Sequence, residues 1–113
     1  MAIVRFDAIL SKAYNAPITA SYTSIGSPLT KNWRMFKITN NTNGDMMFSA
    51  NASTDNIFVP AGGFTLYDCS TNAANVGDTD TFVMGIGTQF SVKYTSVPTS
   101  GTVYIEGLYA QGV

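Results

Sequence analysis

The sequence has no histidine and a single cysteine, Cys69, in 113 residues. Without histidine the chain lacks the commonest metal ligand and the side chain best suited to proton transfer near neutral pH, so a Ser-His-Asp or Cys-His nucleophilic centre is impossible. One cysteine excludes an intramolecular disulfide. Charge is scarce too: Asp, Glu, Lys and Arg make up 12% of the chain, about half of the roughly 25% usual for a soluble domain. Six basic and seven acidic residues leave a net charge of −1. No field exists to draw in a polyanion or an acidic bilayer, and neither nucleic acid nor membrane is expected as a partner. Nothing approaches the ~18 consecutive apolar residues of a spanning helix. Arg5, Asp7 and Lys12 interrupt the N-terminal stretch, where a secretory signal needs an unbroken centre, which predicts a protein made and kept soluble in a cytoplasm.

Threonine, serine, asparagine and glycine stand where charge is missing. Such a surface is cheap to desolvate, because few ions need partners after burial. It suits a protein that buries much of its outside in contacts, and it suits a monomer with an uncharged polar coat equally well. The length fits one domain with a single packed core.

Trp33 to Asp68, WRMFKITNNTNGDMMFSANASTDNIFVPAGGFTLYD, reads as a meander of four short strands. Asn43-Gly44 offers the positive φ of a tight hairpin, and Pro60-Ala61-Gly62-Gly63 closes another turn. Phe36 and Ile38 share one face of the first strand while Met35, Lys37 and Thr39 share the other. Upstream, one strand is expected near 18 to 25, bracketed by Pro17 and Pro28. Downstream, Thr81 to Met84 and Gln89 to Tyr94 are joined through Gly85-Ile86-Gly87. In the second of these Phe90, Val92 and Tyr94 alternate against Gln89, Ser91 and Lys93. The last strand, Thr102 to Tyr109, sets Val103, Ile105 and Tyr109 against Tyr104, Glu106 and Leu108. The prediction is an all-β, antiparallel β-sandwich or small, jelly-roll-like barrel of seven to eight short strands, formed by residues 14 to 113. Its core comprises Phe36, Ile38, Phe48, Phe64, Leu66, Phe90, Val92, Val103 and Ile105.

Residues 1 to 13 carry Ile3, Val4, Phe6, Ile9 and Leu10, partly at helical spacing. They read as an N-terminal arm seeking a docking surface or, equally, as an edge strand of the domain itself. Cys69 to Asp80 is the longest stretch poor in hydrophobic residues, near the upper limit for an unstructured loop unless it binds something. Catalytic chemistry is hard to find. Asp45, Asp55, Asp68, Asp78 and Asp80 lie largely at turns, where aspartate bonds its own backbone. Asp78-Thr79-Asp80 lacks the further ligands of a calcium loop. Cys69 has no basic neighbour in sequence to activate it. Neither catalytic residues, nor a metal, nor a cofactor is expected.

Three segments, FKITNNTNGDMMFS, DNIFVPAGGFTLYD and GTQFSVKYTSVPTSGTVYIEGLYAQG, resemble small structural proteins of tailed bacteriophages over about residues 34 to 112. The resemblance rests on turn and strand pattern. It implies a β-rich virion protein, most like a capsid cement or decoration protein bound outside the major capsid protein shell. The charge-poor surface, the apolar arm and the repeated threefold positions of such a shell predict a homo-oligomer, a trimer, seated on capsid subunits through that arm. A head-tail connector, tail or head-fibre component is the alternative. A carbohydrate-binding β module is the alternative from another class, for which Trp33, Tyr67 and Tyr104 would have to be exposed. The interface candidates are therefore Ile3, Val4, Phe6, Ile9, Leu10, Trp33, Tyr67 and Tyr104.

Overall fold

β-Branched and aromatic residues alternating with polar ones form strands wherever a face can be buried. The structure, a computed structural model, describes residues 3–69 and 84–111, and every regular element within them is a strand. In chain order these are β1 (Ile3–Phe6), β2 (Leu10–Ala13), β3 (Thr23–Ser24), β4 (Trp33–Thr42), β5 (Met46–Ser49), β6 (Ile57–Val59), β7 (Phe64–Asp68), β8 (Ser91–Tyr94) and β9 (Gly101–Gln111). They build two antiparallel sheets. One runs β1-β9-β4-β7 with β2 also on β9, and the other runs β3-β8-β5-β6. The all-β sandwich is as predicted, with nine strands among the described residues. The Cys69 to Asp80 loop beyond Cys69, its Asp78-Thr79-Asp80 motif and residues 81–83 of an expected strand lie outside the described residues; Met84 forms a bridge with Trp33.

The meander expectation is corrected. β4 and β5 do not pair with each other; β4 lies between β9 and β7, while β5 lies between β8 and β6 in the other sheet. Asn43-Gly44 is thus a corner where the chain changes sheets. Gly44 is needed there for close approach rather than for positive φ, since a Cβ would lie 2.4 Å from the Ser96 carbonyl oxygen. Asn43 fixes the corner from outside, its Oδ1 accepting from the Thr99 backbone N–H at 2.7 Å. The chain returns through Pro60 to Gly63, with Gly62 at φ 75° and the Gly63 N–H bonded to the Pro60 carbonyl at 2.9 Å.

Residues 3 to 13 take the edge-strand geometry. β1 and β2 both pair with β9, Phe6 opposite Leu108 and Leu10 opposite Ile105. Three residues, 7 to 9, therefore face two on β9, a bulge of one residue. The bulge turns Asp7 toward the interior, where its Oδ2 accepts the indole N–H of Trp33 at 2.8 Å. Trp33 is wholly buried and lies on Gly107, where a Cβ would come within 2.2 Å of the indole. Its ring stands 6.0 Å from that of Phe90 and 6.4 Å from that of Phe36.

Phe36, Ile38, Phe48, Phe90, Val92, Val103 and Ile105 are buried as predicted. Ile18, Ile25, Leu29, Trp33, Met46 and Val59 complete the core. Phe64 and Leu66 are a correction, being exposed. The register of β7 on β4 puts Tyr67 opposite Phe36 and Thr65 opposite Ile38, so its inner side is Thr65 and Tyr67. Bonds from the Asn40 N–H to the Gly63 carbonyl (2.9 Å) and from the Cys69 N–H to the Arg34 carbonyl (2.8 Å) pin that register at both ends. A slip of one residue would be needed to turn Phe64 and Leu66 inward.

Candidate interaction face

Directly opposed residues of neighbouring strands point to the same side of a sheet. On the core side of the five-stranded sheet Ile38 faces Ile105 and Phe36 faces Gly107. The residues between them form the outer side: Met35 beside Leu108, Lys37 beside Glu106, Thr39 beside Tyr104. β7 adds Leu66 next to Lys37 and Phe64 next to Thr39, and β1 adds Phe6 next to Leu108. The outcome is an apolar face open to solvent, with Phe6 87%, Phe64 64% and Leu66 56% exposed. A depression of about 140 Å³ opens among Phe6, Met35, Leu66, Leu108 and the central pair Lys37 and Glu106.

The electrostatics of the face are sparse. The Lys37 ammonium sits 4.7 Å from the centre of the Phe64 ring, a cation–π contact that holds the charge over the apolar row. Glu106, its cross-strand neighbour, is exposed and forms no ion pair with Lys37 or any other described residue. A face of this kind can bind by burying apolar surface around the central Lys37 and Glu106, with Asp68 of β7 adding a second carboxylate at the rim beside Met35.

Among the sequence-predicted interface residues, Val4 and Phe6 are exposed on β1, Ile9 is exposed at the bulge, and Leu10 is half-buried against the core. Ile3 pairs with Gln111 on β9. Trp33 is a correction: it is a core residue and cannot serve as a contact. Tyr67 stacks on Phe36 with ring centres 5.2 Å apart, and Tyr104 lies half-buried on the outer face. The three aromatics needed for a sugar platform therefore do not share a surface. Met35, Lys37, Phe64, Leu66, Glu106 and Leu108 were not among the sequence candidates. The outward facing of Met35, Lys37, Glu106 and Leu108 is readable from alternation; their meeting depends on β4 and β9 being neighbours, which alternation does not carry.

The other polar groupings serve the scaffold. Asn40, fully buried, donates through Nδ2 to the carbonyls of Gly44 (2.8 Å) and Val59 (3.0 Å) and accepts at Oδ1 from the Thr42 N–H (3.1 Å) and hydroxyl (2.6 Å). It ties β4 of one sheet to β6 of the other, with every bond satisfied. On the other sheet the Tyr22 hydroxyl donates to Asp55, and the Lys93 ammonium lies 3.1 Å from the same carboxylate and 4.7 Å from the Tyr22 ring centre. Burial, with the Asp55 bond and charge, pushes the Tyr22 phenol up to about 12. The hydrogen bonds from Tyr22 and Lys93 hold the Asp55 carboxyl below its usual range. Burial, followed by the nearby Asp68 charge, pushes the Cys69 thiol up, which disfavours the nucleophilic thiolate. Among the described residues no group of three or more Asp, Glu or Cys is placed to hold a metal ion.

Comparison with protein-family models, curated proteins and solved structures gives no match for this chain.

Proposed function

We propose that the protein is a non-catalytic structural component of a tailed-bacteriophage virion, a capsid decoration protein that acts by adhesion to the major capsid protein shell. The observation that carries the adhesive part is the outer face of the five-stranded sheet, where Phe6, Phe64 and Leu66 stay exposed in a chain with little charge to keep it apart from other surfaces. Contiguous exposed apolar residues rimmed by polar ones mark interaction sites. The virion assignment rests on the resemblance of residues 34 to 112. Small adhesive domains repeated over a shell add many modest contacts at high effective concentration, which resists the outward pressure of packaged DNA. Incubating the purified protein with capsids that lack it, then sedimenting them, tests the reading. Capsid-bound protein with matching cryo-EM density on the shell is expected. Density restricted to the portal vertex or the tail overturns decoration in favour of a connector or tail component.

A further inference from the structure

The geometry points to a second copy of this chain as the occupant of the outer face, the two copies packing sheet on sheet about a two-fold axis that runs along the strands between β4 and β9. This rests on the adhesive reading above and names the partner of that face; a dimer built this way covers the outer face, so a capsid-bound dimer attaches through its remaining surfaces, and a copy that uses this face on the shell must first leave the dimer. Four strands spaced at about 4.8 Å and some eight residues of β9 give roughly 500 Å² of flat area. That is short of the ~800 Å² per partner of a standard stable interface, so a concentration-dependent dimer is expected.

Charge selects the arrangement. Lys37 and Glu106 are direct neighbours across β4 and β9 at the middle of the face. A two-fold axis lying in the interface and parallel to the strands exchanges β4 with β9 between copies. Each Lys37 then lies over the other copy's Glu106, and one symmetric contact satisfies both pairs. An in-plane axis perpendicular to the strands would instead stack Glu106 on Glu106 and Lys37 on Lys37, which like charges oppose. The same strand-parallel axis lays Met35 of each copy over Leu108 of the other. Strands of the two sheets stay within about 30° of each other, as in aligned sheet packing. One sheet face can be covered by only one other, so this contact makes pairs; a trimer would need a different surface.

Sedimentation velocity over roughly 1 to 300 μM should show a monomer–dimer equilibrium. Lys37→Glu and Glu106→Lys, each alone, should weaken it by about tenfold or more, and the two combined should restore it, because the swapped pair again meets its opposite. Phe6→Ser should weaken it as well without lowering the melting temperature measured at concentrations where the chain is monomeric, since Phe6 contributes little to the core. Circular dichroism verifies that the charge variants remain folded. A monomer throughout the range, a trimer, a dimer indifferent to both single reversals and to Phe6→Ser, or a combined variant no better than the single ones overturns the proposal. Capsid co-sedimentation separates the two readings: a monomer that still binds capsids defeats the dimer alone, and a dimer that ignores them defeats the virion assignment alone.

Discussion

Gly107→Ala tests the centre of the sandwich with a single methyl group. The added Cβ would stand 2.2 Å from Cδ2 and Cε2 of Trp33, well inside van der Waals contact, so the indole must retreat by more than about 1 Å. It has nowhere to go. Phe36 and Phe90 flank the ring, and Asp7 holds its N–H at 2.8 Å. Overpacking of this kind costs about 1–3 kcal/mol, and loss of a hydrogen bond to a charged acceptor about 1.5–3 kcal/mol more. The gain from removing a strand glycine, about 0.5–1 kcal/mol, offsets part of that. A net loss of roughly 2–5 kcal/mol is a large share of the ~5–15 kcal/mol of a typical domain. At about 4–8 °C per kcal/mol it lowers the melting temperature by at least about 8 °C. Trp33 is the sole tryptophan, so its fluorescence reports both the packing change and the melt. A melting temperature within about 2 °C of wild type, with unaltered emission, would refute the account of why glycine occupies this position.

Asn40→Leu takes the Asn40 partner from the Val59 carbonyl and from the Thr42 N–H, while the Gly44 carbonyl keeps the Thr42 hydroxyl at 2.9 Å, and urea denaturation should show a loss of about 2–4 kcal/mol; a neutral result would mean that Asn40 does not couple the sheets. Phe90→Ala should cost about 3–5 kcal/mol, whereas Leu66→Ser, at concentrations where the chain is monomeric, should stay within about 0.5 kcal/mol. Equal losses would restore β7 to the inward-facing reading. The Tyr22–Asp55–Lys93 cluster should make stability depend on pH at both ends. The depressed Asp55 carboxyl contributes above its unfolded pKa, and that contribution is lost as pH falls through the lower folded value. The raised Tyr22 phenol contributes below its ordinary value near 10 and loses that contribution as pH rises toward about 12. Tyr22→Phe, compared with wild type in pH-dependent melts, should abolish the alkaline part, and an unchanged alkaline profile would remove the hydroxyl from the account.

Alternation makes the inner rows of β4 and β9, and of β8 with the residue that leads into it, readable, because Phe36 and Ile38, Phe90 and Val92, and Val103 and Ile105 each recur at period two beside polar neighbours. It fails on β7. Phe64 and Leu66 are more apolar than Thr65 and Tyr67, yet β7 is flanked only by β4 among the described strands, and the pinned register and the stacking of Tyr67 on Phe36 outweigh the difference. Asn43-Gly44 suits a hairpin and a corner between sheets equally well by sequence, because both require the same small residues. Trp33 looked like a contact residue because the partners that bury it, Asp7, Gly107 and Phe90, are distant in sequence. The outer face was hidden for a related reason: its residues come from β1, β4, β7 and β9, and nothing local states that those strands are neighbours.

The central place of β9 has a bearing on synthesis. β1, β2 and β4 all pair with it, so a nascent chain can display the first two strands and β4 without any means of joining them until residues 101–111 have left the ribosome. Sheets closed by such distant pairings assemble slowly, on the scale of about milliseconds to seconds. In that interval the apolar β1 segment and the edge of β4 that awaits β9 are open to other chains, β7 being able to cover only the other edge. A message cut short before codon 101 would yield strands without their common neighbour, a species suited to aggregation rather than to partial function.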